Sequence, residues 1–335
     1  MGPLLEVKNL STSIKIEGQT FPVLRGINFS LDEGKTLAIV GETGSGKSMT
    51  ALSILGITPS PPTLPPSGEI VFRGQNLLEL SKEQMRGIRG KDLSMIFQDP
   101  RSALNPVYTI GDQLLEGCQT HLNLSKEAGL KKVQTALLEV QLTKAEQIMK
   151  QYPHELSGGM LQRVMIAMAL ICEPRILIAD EPTTALDVTI QKQILDLLKN
   201  LQKKKGMSMV IITHNMDVVA EVADEMIVLY GGQVIERGPT EQVFNNPSHP
   251  YTQALLSSRP IRPLKEGRLP TLDSHAPSLK HMPTGCLFHP RCRYCMPHCK
   301  REAPPLFSVS PSAHDSKCWL LDPAITQKVD DETDF

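Results

Sequence analysis

Eight residues constrain this chain more than any others: Gly41-Glu42-Thr43-Gly44-Ser45-Gly46-Lys47-Ser48. They follow the apolar run Thr36-Leu37-Ala38-Ile39-Val40 and precede the helix-like stretch Met49–Leu55. Strand, glycine-rich turn, Lys-Ser and helix in that order predict a phosphate-binding loop. Glycines let the backbone aim successive N–H groups at phosphate oxygens, and the following helix N-terminus adds a favourable potential for anions. Lys47 is expected to reach the β- and γ-phosphates, and the Ser48 hydroxyl to ligate Mg²⁺. With Met49 these residues, 41–49, form the expected nucleotide-contacting segment.

Composition narrows the remaining options. The 335 residues, 40% of them hydrophobic, suffice for one large domain and a smaller one. A net charge of −1 leaves no basic footprint for nucleic acid. Val164–Cys172, nine residues, is the longest unbroken apolar stretch and is far short of a membrane span. Met1-Gly2-Pro3-Leu4-Leu5-Glu6 has neither the basic nor the apolar region of a signal peptide, and Glu6 replaces the Ser or Thr of a myristoylation motif. A cytosolic chain is therefore expected, reaching any membrane through a partner. Its seven cysteines should be thiols or metal ligands.

Strands occupy residues 4–40 in this reading, and Pro59, Pro61, Pro62, Pro65 and Pro66 make a stiff connector. Short strands follow at Ser67–Gly74 and Leu93–Phe97. Between Gln98 and Leu156 the periodicity turns helical, with apolar residues spaced by three and four over Ile110–Cys118 and Ala128–Val140. Strand and helix alternate again through Arg175–Asp180, Thr189–Leu201, Met209–Thr213 and a Gly231-Gly232 hairpin. This order predicts an α/β fold with a flanked parallel sheet and a helical insert. The stretch from about 260 on reads as a small cysteine-bearing appendage with a disordered acidic end, Asp330–Asp334.

Further site residues sit at strand ends. Arg175–Ala179 is an apolar strand closed by Asp180 and Glu181. Asp180 is expected to hold Mg²⁺ through water, and Glu181 to take the proton of an attacking water. His214 follows Met209–Thr213, where it can contact the γ-phosphate, and Gln98 follows Leu93–Phe97, where it can touch both Mg²⁺ and the water. Leu156-Ser157-Gly158-Gly159-Met160 opens the helix Met160–Ile171 and makes a second anion-binding helix start.

With those residues in place the chain resembles the ATP-binding cassette (ABC) ATPases. Phosphate loop, Gln98, the Leu156–Met160 signature, Asp180-Glu181, the Ala185-Leu186-Asp187 loop and His214 stand in that family's order. Three segments resemble the oligopeptide/dipeptide-importer subunits more closely: Tyr152–Met160, Asp180–Gln191 and His249-Pro250-Tyr251-Thr252. The resemblance implies a P-loop NTPase nucleotide-binding domain over residues 1–259, with a mixed sheet core and a helical, signature-bearing subdomain over 98–170. It implies a C-terminal extension over 260–335. In such proteins two cassettes meet head to tail, and the Ser157-Gly158-Gly159 of one would close over the ATP on the other; Asp187 is a further expected cofactor-binding residue. Two transmembrane permeases and an extracytoplasmic solute-binding protein complete the implied machine, with this chain peripheral on the cytoplasmic face of the inner membrane. Arg101–Pro106 would meet the permease, and Phe21 is the candidate for stacking on adenine. Import of a non-peptide solute such as nickel, or a soluble non-transport ABC ATPase, is the alternative function.

Cys286, Cys292, Cys295 and Cys299 crowd into one segment, with Cys318 further on, while Cys118 and Cys172 fall on helices and read as core thiols. Clustered thiolates suit zinc or iron–sulfur, with unligated thiols the alternative, and the spacing does not choose between the metals. His289 and His298 lie nearby and read as solvated. The resemblance implies a [4Fe–4S] cluster on Cys286, Cys292, Cys299 and Cys318, with Cys295 a possible substitute.

Overall fold

The computed structural model describes residues 2–184, 186–257, 277–310 and 313–325, the side chain of Val188 excepted. The expected acidic end and Ala185 of the Ala185-Leu186-Asp187 loop lie outside the described residues. Strands in chain order are β1 (Leu5–Ile16), β2 (Gln19–Leu31), β3 (Thr36–Val40), β4 (Ser67–Phe72), β5 (Gln75–Asn76) and β6 (Leu93–Ile96). They continue as β7 (Ile176–Asp180), β8 (Ser208–Thr213), β9 (Glu225–Tyr230), β10 (Gln233–Pro239), β11 (Phe307–Ser310) and β12 (His314–Ser316). The helices are α1 (Lys47–Leu55), α2 (Lys82–Ile88), α3 (Pro100–Ala103), α4 (Ile110–Leu122), α5 (Lys126–Glu139) and α6 (Ala145–Met149). After them come α7 (Gly158–Leu170), α8 (Val188–Lys205), α9 (Met216–Val222), α10 (Thr240–Asn245), α11 (Pro250–Ser257) and α12 (Pro297–Arg301). Two compact units share these elements, one built from residues 5–30, 37–78 and 213–335, the other from 1–4, 31–36 and 79–212.

The first unit holds the phosphate loop. β1 pairs antiparallel with β4 and β4 with β5, in a sheet ordered β2-β1-β4-β5. Glu17 and Gly18 join β1 to β2 with φ of 51° and 82°, the positive pair of a turn whose twist matches its strands. The proline connector runs along β1 and is tied to it: Leu64 N–H donates to Ser13 O at 2.8 Å and Lys15 N–H to Pro62 O at 2.9 Å. β3, buried along its length, pairs parallel with β9, Val40 opposite Val228. β10 returns antiparallel to β9 through Gly231-Gly232, and β12 and then β11 extend that edge. The cysteine-bearing region is therefore joined to the nucleotide-loop unit by sheet pairing, a connection its faded periodicity did not signal.

In the second unit β6, β7 and β8 run parallel in that order, Ile96 opposite Ala179 and Asp180 opposite Ile212. All five residues of β7 are buried, as a strand covered on both faces requires. The helical insert is α3–α7. On α4, Ile110, Leu114, Leu115 and Cys118 form the buried face, and it packs on α5, where Val133 and Leu137 are buried. Each fully buried leucine contributes about 1.5–3 kcal/mol. Thr109, Ser125, Ser157 and Asp187 cap α4, α5, α7 and α8 through side-chain oxygens that accept first-turn N–H bonds. Gly206 at φ 66° ends α8, whose last turn carries Lys203, Lys204 and Lys205 where the helix dipole favours cations.

Candidate functional site

The loop between β3 and α1 is wound tightly. Gly41 has φ 151°, and a Cβ there would run into the backbone carbonyl of Leu229 on β9. Gly46 has φ 105°, and a Cβ would lie 2.8 Å from Leu24 Cδ2. Glycine is thus required at both positions by conformation and by space. Lys47, 6% exposed, curls back so that Nζ donates to Gly41 O at 2.8 Å and Glu42 O at 2.9 Å. Ser45 Oγ is buried with no hydrogen-bond partner among the described residues. Thr43 and Gly44 are exposed at the tip, and Ser48 and Met49 are half-buried in the first turn of α1. A buried ammonium, an orphaned hydroxyl and an uncapped helix start make an anion cradle. Phe21 is half-buried on β2, whose Val23 and Leu24 flank Gly46. His214 belongs to this unit and is exposed just beyond β8.

Glu42 is held at both ends. Its N–H donates to Tyr251 Oη at 2.8 Å, and its carboxylate receives Arg291 Nη1 at 2.8 Å and Nη2 at 3.0 Å. Arg291 also reaches Tyr230 Oη at 3.4 Å, with its guanidinium 5.8 Å and 5.9 Å from the Tyr230 and Phe288 ring centroids. Burial works against the Arg291 charge, but the bonds to Glu42 and Tyr230 outweigh it and raise its pKa. Tyr251 is placed by His249, whose Nδ1 accepts the Tyr251 N–H at 3.0 Å. Buried Glu236 ties this turn to β12: it accepts from Ser248 N at 2.7 Å, His249 N at 2.9 Å and His314 Nε2 at 2.8 Å. None of these supports of Glu42 was read from the sequence. The His249–Thr252 segment gave a family signal, but Arg291 sits between cysteines in a stretch without periodicity.

The second unit gathers Gln98, Glu181 and the signature helix. Glu181 leaves β7 with φ 45°, an unusual conformation for a side-chain-bearing residue, fixed by its N–H donating to Ile212 O at 2.8 Å. Its Oε2 accepts from Thr184 Oγ1 at 2.8 Å and Gln98 Nε2 at 3.1 Å, so the two residues expected to handle a water meet directly. Asp180, one residue earlier, is buried. Gln162 on α7 donates to Pro182 O at 2.7 Å, linking the signature helix to the segment after Glu181. Ser157 and Gly158 are exposed at the start of α7, and a Cβ on Gly158 would meet nothing within 4 Å. Asp187 is exposed, its carboxylate occupied in capping α8. In this unit Gln98 and Asp180 offer amide and carboxylate oxygens, and in the first unit Ser48 offers a hydroxyl, each a donor type that Mg²⁺ takes.

The cysteine segment is a chain of short turns: Cys286 N–H donates to Cys299 O at 2.9 Å, and Cys295 N–H to Cys292 O at 3.2 Å. Burial pushes the Cys318 thiol up to about 12, and the nearby Cys286, Cys292 and Cys299 push the same way. Cys286 rises to about 11 for the same reasons, while backbone N–H groups of Phe288 and His289 aimed at its sulfur pull it back. No group of three or more His, Cys, Asp or Glu among the described residues is drawn together tightly enough for a single metal ion. Cys118 and Cys172 are buried free thiols, Cys172 raised to about 11 by burial, inert as core residues should be.

Known proteins match this arrangement. The ABC transporter family model covers residues 24–184, and that of the oligopeptide/dipeptide transporter C-terminal region covers 235–299. The dipeptide transport ATP-binding protein DppD of Bacillus subtilis (strain 168) is 48% identical over 322 residues, 96% of this chain and 96% of that protein. The oligopeptide transport ATP-binding protein OppD of the same organism is 48% identical over 321 residues, 96% of this chain and 89% of that protein. Among solved structures, the ATP-binding cassette MJ0796, a dimer in a post-hydrolysis state with ADP and Pi, superposes with a TM-score of 0.63 at 28% identity. That match covers 70% of this chain and 98% of the cassette.

Proposed function

We infer the function from a membership those identities establish: the chain belongs to the ABC transporter family of ATP-binding proteins, in its oligopeptide/dipeptide branch. It is the ATP-hydrolysing subunit of a peptide importer. The observation that carries the chemistry is the cradle of Gly41–Ser48, with Lys47 buried and aimed inward over its carbonyls.

We propose that ATP lies with its phosphates on residues 41–49, Lys47 replacing its two carbonyl bonds by phosphate oxygens. Ser48, Gln98 and Asp180 would hold Mg²⁺. Glu181 would accept the proton of the attacking water, and His214 would contact the γ-phosphate. The Glu181–Gln98 contact supports this pairing of roles. A second cassette, identical or homologous, would supply the opposite Ser157-Gly158-Gly159 and Asp187; the exposure of Ser157, Gly158 and Asp187 suits contact with a partner. ATP shared between two cassettes draws them together, and hydrolysis removes the γ-phosphate contacts that held them.

No described helix is long and apolar enough to cross a membrane. The chain would work peripherally on the cytoplasmic face, bound to two permeases through the helical insert and Arg101–Pro106, with a solute-binding protein delivering peptide outside. For the cysteines we propose a [4Fe–4S] cluster on Cys286, Cys292, Cys299 and Cys318. The turn that joins two of them supports it: the Cys286 N–H donates to Cys299 O at 2.9 Å.

Purification of the complex through a tag on this chain tests the reading. Two membrane subunits should accompany it, and Lys47→Ala should abolish fluorescent-ATP binding. A chain that purifies without permeases, or a variant that binds as wild type, would refute it.

A further inference from the structure

The loop that receives the phosphates contains a carboxylate, Glu42, between Gly41 and Thr43. Left alone, that negative charge would oppose the polyphosphate it sits beside. The chain answers it from 249 residues away. Arg291, with a side chain only 4% exposed, makes a two-pronged pair with Glu42, itself 27% exposed. The guanidinium is clasped by the Tyr230 and Phe288 rings, which pack edge-on at 5.3 Å between centroids. The planar fork and the aromatic walls fix the pair's geometry as well as its charge.

Position matters as much as neutralisation. The carbonyl of Glu42 is one of the two that hold Lys47 Nζ, so any shift of Glu42 moves the ammonium that must meet the phosphates. Arg291 also lies in the short segment between Cys286 and Cys292, which gives the C-terminal extension a direct hold on the nucleotide loop.

Resting on the ATPase reading above, we propose that Arg291 is a positioning residue for ATP binding: it cancels the Glu42 charge and holds Glu42 so that the loop and Lys47 present a net attraction to the phosphates. Arg291 touches no nucleotide itself. Its removal should therefore act on affinity in proportion to phosphate charge and spare the chemical step.

The test is titration of the purified full chain with fluorescent ATP, ADP and adenosine analogues, beside Lys47→Ala. Arg291→Ala is expected to weaken ATP binding about tenfold, ADP binding less, and adenosine binding not at all, because the exposed carboxylate repels charge. Glu42→Gln added to Arg291→Ala should restore most of the ATP affinity, and Arg291→Lys should fall between, keeping charge without the fork. In the assembled complex Arg291→Ala should raise the KM for ATP while kcat stays within about twofold of wild type. If Arg291→Ala does not fold, Arg291→Lys is read by the same phosphate dependence. Equal losses for ATP, ADP and adenosine, no rescue by Glu42→Gln, or unchanged ATP affinity would overturn the proposal. A wild-type chain that binds no ATP, unaffected by Lys47→Ala, would instead refute the ATPase reading.

Discussion

Acid should weaken this protein through one buried ring. His249 is 1% exposed, its Nδ1 accepts the Tyr251 N–H, and its own backbone N–H is bound by Glu236. Burial pushes its pKa from 6.5 down to about 4, against the opposing pull of Glu236. The ring is therefore neutral in the folded protein at pH 7, with Nδ1 free of a proton to accept the Tyr251 bond. Unfolding restores the ordinary pKa, so between about pH 6.5 and 4 the unfolded chain binds the extra proton and acid favours it. The contribution is complete above about pH 6.5 and is lost as pH falls through that window. A drop of some two and a half units at about 1.4 kcal/mol each makes the total of order 3 kcal/mol. Urea unfolding from about pH 7.5 to 5 should show a falling midpoint at unchanged m-value. His249→Asn keeps an acceptor for Tyr251 without titrating, and leaves the Glu236–His314 pair in place, so its stability should depend less on pH in this window. Because the folded ring stays neutral down to about pH 4, the Tyr251 support of the Glu42 N–H should persist through this window, and ATP affinity of the folded wild type should not fall with the midpoint. Parallel pH profiles for wild type and His249→Asn would refute the reasoning.

Other expected outcomes follow from single contacts. Gly41→Ala forces a Cβ against the Leu229 carbonyl and should lower thermal stability by about 1–3 kcal/mol and weaken ATP binding, seen by melting and titration. Glu181→Gln should retain ATP binding yet cut hydrolysis about 10²–10⁴-fold, the range for loss of a general base; normal turnover would remove Glu181 from that role. Anaerobic purification should yield about four iron atoms per chain, with Cys286→Ser, Cys292→Ser, Cys299→Ser or Cys318→Ser losing them and Cys295→Ser keeping them. Zinc without iron would contradict the cluster.

Local chemistry made much of this fold legible. The phosphate loop, the apolar strand ending at Asp180 and the helix start at Ser157 each declare themselves within a few residues, because glycine conformation, strand burial and capping are short-range effects. The Gly231-Gly232 hairpin was readable for the same reason. Glu17-Gly18 carries the same turn chemistry in a less obvious pair. What escaped the sequence is long-range. The pairing of β12 with β10, and the ties from Arg291 and Tyr251 to Glu42, join residues far apart in the chain whose neighbours show no periodic pattern. An arginine among cysteines looks like an ordinary surface charge until folding buries it beside two aromatic rings. Glu181 and Gln98 could each be suspected from a strand end, but their hydrogen bond depends on β6 and β7 being neighbours, which the order of strands in the chain does not fix.

The central claim is that ATP cleavage by this chain drives a peptide-moving membrane complex. Its most direct test is ATP hydrolysis and peptide uptake by that complex, purified on this chain and reconstituted in vesicles with its solute-binding protein. Hydrolysis that rises with peptide delivery, and disappears together with uptake in Lys47→Ala and Glu181→Gln, is the predicted result. Uptake that persists in both variants, or a complex that consumes no ATP while transporting, would contradict it.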